Sequence, residues 1–140
     1  MKATIFTHSA LLGVLLLAVL AGCRRGVSEP PRFGLSGRVT YDGKPVPAGF
    51  VAFSPDDSQG NRGPTVTADI HAGQYQIKPD EGTVGGPHRV SIHGLDGKPI
   101  PYGNLTNSLG KRLFPEFKTQ VDLPCETATQ DFTVPADKAR

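Results

Sequence analysis

The sequence predicts an all-β fold of seven short strands packed as two sheets. Apolar residues almost never recur at helical spacing, whereas short runs alternate apolar and polar residues, as half-buried strands do. The 17 glycines and 13 prolines interrupt the chain throughout, so these runs stay short. Each run presents one apolar face, which is what the two sheets of a β-sandwich bury against each other.

The first element along the chain is an export signal. Lys2 gives a positive start, and every residue from 10 to 21 is apolar or glycine. This run is too short to cross a ~30 Å hydrocarbon layer, which takes about 20 residues. Its length suits the apolar core of a signal peptide.

The run ends in LAGC at 20–23, which resembles the lipobox of bacterial lipoprotein signal peptides. The resemblance implies that residues 1–22 are a cleaved signal peptide and that the Cys23 sulfur receives a diacylglycerol, with acylation of the new amino group. Two or more acyl chains hold a protein stably on a bilayer. The expected location is therefore the cell envelope, anchored to a bacterial membrane. Two alternatives stay open: a secretory signal that leaves Cys23 as a free thiol, and an uncleaved membrane helix.

Charge separates the chain after the signal into two parts. Residues 23–34 form a basic tether that Pro30-Pro31 stiffens, and its arginines can lie against anionic head groups. From Leu35 onward 11 basic residues face 12 acidic ones, a net charge of −1. The body carries no basic stripe of the kind that nucleic-acid binders show. Nucleic acid is therefore excluded as a partner.

The body contains the seven predicted strands. In chain order they are LSGRVTY at 35–41, AGFVAFS at 48–54, TVTADIH at 65–71, QYQIKP at 74–79, HRVSIHG at 88–94, KTQVDLP at 118–124 and QDFTVP at 130–135. Asp42-Gly43 follows the first run and is a strong turn signal between alternating runs. Ala72-Gly73 is predicted to turn the third run into the fourth.

These runs carry a family resemblance. GRVTYDGKPVPAGFVAFSP at 37–55, the stretch at 70–94 that contains GQYQI, and the proline-aromatic segment with the last two strands at 114–134 resemble a transthyretin-like, carboxypeptidase-regulatory-like domain. The resemblance implies a seven-stranded β-sandwich over residues 35–135, followed by a tail at 136–140. One enzymatic branch of that superfamily hydrolyses 5-hydroxyisourate, with a histidine and an arginine near the start of the fold and a Y-R-G-S ending. This chain has neither the first-strand histidine nor that ending, so the sequence predicts no enzyme.

No catalytic residue, cofactor site or metal site is predicted. His71, His88 and His93 are interpreted as solvated or strand-end side chains, and His88 and His93 should point to opposite faces of one strand. Asp56-Asp57 is interpreted as an exposed polar turn, because the alternating carboxylates of a calcium loop are missing. With Cys23 acylated, Cys125 has no partner within the chain. It is predicted to be a small buried hydrophobe, with a reactive thiol or an intermolecular disulfide as alternatives.

The long irregular stretch 95–117 is the most informative part of the body, because loops of this length are usually functional or disordered. As a surface, it would bind a glycan or a protein through its aromatic and basic side chains. The tentative ligand surface consists of Tyr102, Lys111, Arg112 and Phe114. As structure, its aromatic residues would plug one end of the sandwich. The predicted function is a membrane-anchored, non-catalytic structural or protein-interaction module, and the alternative is a carbohydrate-binding lipoprotein that uses this loop.

Overall fold

The structure, a computed structural model, describes residues 29–136 of the chain. These residues form an all-β domain, as the sequence predicts, with two short 3-10 helices at Asp57–Gln59 and Pro79–Glu81. The strands are β1 Leu35–Tyr41, β2 Lys44–Pro45, β3 Ala48–Pro55, β4 Val66–His71, β5 Gln74–Ile77, β6 Gly86–Leu95, β7 Ile100–Tyr102, β8 Leu105–Asn107, β9 Phe117–Leu123, β10 Ala128–Thr129 and β11 Phe132–Val134. Each of the seven predicted runs overlaps one of them. The short strands β2, β7, β8 and β10 were not predicted.

One curled sheet makes up most of the domain, in the order β10-β1-β5-β4-β3-β6-β9. Strand β1 serves two sets of partners: its first half pairs with β5 and β10, and its second half with β2 and β11. The strands β7 and β8 form a separate two-stranded sheet. The change of partners along β1 lets the sheet curl over its own apolar face.

The core lies on the concave side of the curled sheet. Alternation is clearest in β4, where Val66, Ala68 and Ile70 are buried and the residues between them are exposed. Rings from three strands meet at the centre, with Phe53 5.7 Å from Tyr75 and 6.0 Å from Phe132. The Tyr75 hydroxyl donates a hydrogen bond of 2.6 Å to the Gln130 carbonyl, and burial raises the pKa of this phenol above its ordinary value. The hydroxyl of this buried tyrosine therefore has its hydrogen-bond partner within the protein.

The turn signals of the sequence are found where they were predicted. Asp42 and Gly43 both have positive φ, at 49° and 71°, in the turn between β1 and β2. Ala72 and Gly73 repeat this conformation between β4 and β5, at 50° and 79°. Two consecutive residues with positive φ match the right-handed twist of the flanking strands, as tight hairpins require.

The folded body begins before Leu35. The backbone of Phe33 exchanges hydrogen bonds with Thr83, and the carbonyl of Gly34 accepts one from Ala128. These two residues, assigned from the sequence to the tether, thus belong to the body. The predicted signal peptide, Cys23 and tether residues 24–28 lie outside the described residues, as do residues 137–140 of the predicted tail.

Candidate interaction surface

The hairpin β7–β8, residues 100–107, lies within the 95–117 segment. Tyr102 pairs with Leu105 across a two-residue turn formed by Gly103 and Asn104. Gly103 has a φ of 57°, which suits glycine at the first central position of a type II′ turn. The sequence carries this turn signal in YGNL, and the prediction of an irregular stretch is wrong for residues 100–107.

The tip of this hairpin exposes apolar side chains to solvent. Tyr102 is 76% exposed and Leu105 is 73% exposed, and Leu109 just beyond the hairpin is 45% exposed. Among residues 29–136 these three are the exposed large hydrophobic side chains, and all lie in this one segment. Single exposed apolar residues are common, but a cluster confined to one projecting element is typical of an interaction site.

Basic side chains surround the base of the hairpin. Lys98, Lys111 and Arg112 are exposed and make no ion pair among the described residues. Asp96 is the one carboxylate between residues 95 and 112, so this stretch has a net charge of +2 in a body whose net charge is −1. The hairpin therefore has apolar side chains at its tip and a net positive charge at its base.

Asp96 fixes the geometry of the hairpin base. Its Oδ1 accepts hydrogen bonds from the backbone amides of Lys98 at 3.0 Å and Lys111 at 2.9 Å. These two bonds lower the pKa of Asp96 below its ordinary value, because they favour the charged carboxylate. Gly110 has a φ of 81°, and a methyl group there would overlap the Asp96 carboxylate. Only glycine leaves room for this arrangement.

Phe114 lies in the core and is no part of a ligand surface, contrary to the prediction from sequence. It is 3% exposed, and its ring centre is 4.8 Å from that of Tyr41. A methyl group on Gly94 would overlap the Phe114 ring, so glycine at that position makes the pocket. Phe114 thus fits the interpretation that an aromatic residue of the 95–117 segment plugs the end of the sheet. Tyr102, Lys111 and Arg112 are exposed together with Leu105, and binding of a ligand by them stays a prediction.

The hairpin and the tether lie at opposite ends of the sheet. The strand register sets Leu95 beside Ala48 and Ala48 beside His71 at the end where the hairpin leaves β6. The chain enters the body at the other end, where Phe33 bridges Thr83. Strand β6 has ten residues and so spans about 33 Å between these ends.

The Asp56 loop, residues 56–61, is a second element that is held in shape by hydrogen bonds to an aspartate side chain. Asp56 is 1% exposed, so the prediction of an exposed turn is wrong for this residue. Hydrogen bonds from the Ser58 hydroxyl and from Gln59 Nε2 lower its pKa below the ordinary value. Asn61 Nδ2 donates to the carbonyls of Gly85 and Pro87, which ties the loop to β6. The carboxylate is fully engaged by protein donors, so the loop is structural.

His88 lies near the start of β6 and is buried, so of the predicted solvated or strand-end side chain the solvated alternative is wrong. It is 1% exposed, and its Nδ1 lies 2.8 Å from the Gly86 carbonyl. Because a carbonyl only accepts, Nδ1 carries the hydrogen, and Nε2 is left as a buried atom without a hydrogen-bond partner. His93 lies on the opposite face of β6, stacked on Phe50 at 4.4 Å. Among the described residues no group of three or more His, Cys, Asp or Glu side chains could hold a metal ion.

Cys125 is exposed, which overturns the prediction of a small buried hydrophobe. Its sulfur lies against Gly85, where a methyl group would overlap it. Across residues 29–136 it has no disulfide partner. Cys125 thus lies at the surface just beyond the end of β9.

A shallow groove of about 930 Å³ crosses the outer face of β1, β4 and β5. Asp69 and His71 from β4 line it together with Arg38 and Asp131. Within residues 29–136 no ion pair joins these side chains, and Asp131 accepts a hydrogen bond of 2.7 Å from the Arg38 backbone amide. The groove therefore places titratable side chains near one another, but within the described residues none of its acidic side chains is paired with a basic one.

Comparison of the sequence with protein-family models finds no matching family, and comparison with curated proteins finds no match. No helix within residues 29–136 has the length and apolar character needed to cross a membrane.

Proposed function

We propose that this chain is a membrane-anchored envelope lipoprotein whose body is a non-catalytic protein-interaction module. In this proposal the body is a transthyretin-like β-sandwich and Cys23 carries the lipid. The all-β architecture and the turn positions agree with the resemblance seen in the sequence. The hairpin at residues 100–107 is the interaction site.

The exposure of Tyr102 and Leu105 at the hairpin tip carries this proposal. Apart from Leu109, the large apolar side chains of the described residues are at least partly buried, so the core does not require these two to be exposed. Tyrosine is enriched in interfaces because it contributes a large, rigid, amphipathic contact area. The hairpin is also placed to reach a partner, since it leaves the sheet at the end away from the tether.

The charge around the tip defines the chemistry of the partner. Lys98, Lys111 and Arg112 are exposed at the base of the hairpin that carries the apolar tip. A complementary protein surface would present an apolar pocket for Tyr102 and Leu105, bordered by carboxylates. Such rim charges act mainly on the association rate and on the choice of partner.

Site-specific photocrosslinking in intact envelopes tests the interaction site. A photoreactive residue replaces Tyr102 in one variant and Asp80, which is exposed at the other end of the sheet, in the control. We expect a discrete protein adduct from position 102 that weakens when Lys111→Glu and Arg112→Glu are added. Equal adducts from both positions, or none from position 102, would contradict the proposal.

The lipid anchor has its own test, which is independent of the hairpin. Mass spectrometry of the detergent-extracted chain should show an N-terminus at Cys23 with the added mass of a diacylglycerol. A Cys23→Ser variant should lack that mass. A wild-type chain that begins elsewhere without lipid would show a secreted protein, and the interaction site would then act in solution.

Carbohydrate binding is the second candidate, and the exposed Tyr102 ring favours it because sugars stack on aromatic faces. Binding to a glycan array distinguishes the two functions through separate variants. Glycan binding should be lost in Tyr102→Ala and retained in Leu105→Ala, whereas protein docking should weaken in both. An array without hits would remove this candidate.

A further inference from the structure

The two strands of the projecting hairpin pair only with each other, so each has one edge without a strand partner among the described residues. The register pairs Pro101 with Thr106 and Tyr102 with Leu105. Every residue from 101 to 109 is exposed, so both edges face solvent. An exposed edge of this kind can accept a further strand.

The register determines which backbone groups of the hairpin point outward. In an antiparallel pair, residues exchange backbone hydrogen bonds at every second position, and the residues between them turn their N–H and C=O groups away from the partner strand. Tyr102 and Leu105 flank the two-residue turn, so they form the hydrogen-bonded pair that closes it. The backbone groups of Pro101 and Thr106 therefore point outward, one residue on each edge.

Proline closes one of these two edges. Pro101 has no amide hydrogen, so β7 presents only a carbonyl at its middle position. At the matching position of β8, Thr106 presents both an N–H and a C=O. Threonine is also among the residues that favour strands. A partner strand can therefore add to the β8 edge, whereas proline protects the β7 edge.

The side chains of the hairpin favour the same edge. Residues that face each other across a strand pair share one face of the sheet, so Tyr102 and Leu105 lie on one face and Thr106 lies on the other. A strand beside β8 would place its residue opposite Leu105 on the apolar face. In strand addition the backbone hydrogen bonds give affinity, and contacts of alternate side chains give specificity.

We propose that the hairpin binds its partner by strand addition, in which an extended segment of the partner protein pairs antiparallel with β8 and exchanges two backbone hydrogen bonds with Thr106. This inference rests on the proposed interaction site and names how that site binds. In the antiparallel direction one partner residue takes both hydrogen bonds. This direction is also slightly more stable per residue than parallel pairing.

The charge at the hairpin base defines the partner segment further. Because β8 runs from the tip to the base, an antiparallel segment runs from the base to the tip. Its residue opposite Leu105 should be apolar, and carboxylates should precede that residue, toward the base where Lys111 and Arg112 are exposed. A second copy of this chain does not fit, because residues 95–112 of both copies carry a net charge of +2 and like charges oppose association.

Photocrosslinking of the full chain in intact envelopes tests which edge of the hairpin is used. A photoreactive residue replaces Thr106 in one variant and Pro101 in the matched control, because these two residues face each other across the hairpin and are both exposed. We expect about tenfold more protein adduct from position 106, since the partner strand lies beside β8. Equal adducts from the two positions, or an adduct with the mass of two copies of this chain, would overturn the proposal.

Removal of the outward amide gives a second readout. Thr106→Pro deletes this donor and leaves the hydrogen-bonded pair of Tyr102 and Leu105 in place, while Thr106→Val keeps the amide and is the control. With the photoreactive residue at position 102, the adduct should fall about tenfold in Thr106→Pro and stay within about twofold in Thr106→Val. Slow hydrogen exchange of the Leu105 amide checks that the hairpin is intact in the proline variant.

The outcomes separate strand addition from the interaction site itself. An adduct at position 102 that is equally strong in Thr106→Pro and Thr106→Val would exclude strand addition and leave the hairpin as the interaction site. A chain that gives no adduct at position 102 with either residue at position 106 would contradict the interaction site and this inference together. The comparison of positions 106 and 101 decides the edge even if the proline variant loses its hairpin.

Discussion

The two ends of the sheet each carry a loop that an aspartate organises, and the two loops expose very different surfaces. In the Asp56 loop the carboxylate is buried and accepts hydrogen bonds from two side chains. At the other end Asp96 accepts two backbone amides and closes the base of a projecting hairpin. Hydrogen bonds to a carboxylate therefore hold the Asp56 loop against the body. At the other end they shape the base of a hairpin that projects into solvent.

The two loops differ in the parts of the chain to which their hydrogen bonds and contacts join them. Asn61 hydrogen-bonds the Asp56 loop to the start of β6, so this loop should unfold together with the main sheet. The hairpin pairs only β7 with β8 as a separate sheet, and Phe114 attaches its segment to the core. Loss of Asp56 should therefore be felt throughout the domain, whereas loss of Asp96 should stay local.

Asp56→Ala is expected to have the largest effect. It removes the buried carboxylate that accepts hydrogen bonds from Ser58 and Gln59, so the bonds that fold this loop back onto the body are lost. We expect the melting temperature of the whole domain to fall by several degrees, measured by circular dichroism. Asp57→Ala is the matched control, because Asp57 is exposed and its ion pair with Arg89 is at the surface. Equal shifts for both variants would contradict the buried role of Asp56.

Acid should weaken the Asp56 loop through the same carboxylate. Its pKa is lowered in the folded state, so the unfolded state binds more protons as the pH falls below about 4. The stabilisation is complete above the unfolded pKa of about 3.9 and is lost as the pH falls through the folded pKa. Urea unfolding of Asp56→Asn between pH 5 and pH 2 should therefore show a shallower pH dependence than that of the wild type. If the variant and the wild type lose stability equally with pH, a group other than Asp56 is responsible for the acid sensitivity.

Asp96→Ala should act on the hairpin base alone. The amides of Lys98 and Lys111 lose their acceptor, and the two sides of the base are then joined by the backbone hydrogen bonds from Asp96 to Lys111 and from Gly97 to Leu109. We expect faster amide hydrogen exchange over residues 97–111, with little change in β3 and β6. Exchange that rises equally across the sheet would show that the hairpin belongs to the global folding unit.

The strand positions could be predicted from the sequence because the alternation of apolar and polar residues and the turn residues depend on neighbouring positions in the chain. In β4 the burial of Val66, Ala68 and Ile70 matches the pattern that predicted the strand. The Asp42-Gly43 turn was predictable because few residue pairs accept positive φ. The hairpin was missed because Tyr102 and Leu105 read as members of an irregular loop, although Gly103-Asn104 between them is a two-residue turn signal.

Burial of polar and sulfur-bearing side chains could not be predicted from the sequence. Asp56 and His88 are buried because distant parts of the chain cover them and nearby partners accept or donate their hydrogen bonds. Cys125 is exposed because it follows an edge strand that no neighbour covers within the described residues. Phe114 was assigned to a surface because nothing local shows that Gly94 opens a pocket for its ring. Each of these outcomes depends on tertiary contacts rather than on sequence spacing.

The smallest effect on stability is expected at the hairpin tip, where the functional effect should be largest. Tyr102→Ser with Leu105→Ser removes apolar surface that the folded chain exposes, so little folding energy is lost. We expect the free energy of unfolding to change by no more than about 0.5 kcal/mol, measured by urea unfolding beside Asp56→Ala. The same double variant should lose the adduct formed by a photoreactive residue at Thr106, the neighbouring hairpin position. A stable variant that keeps its adduct would show that the tip exposes these side chains without using them.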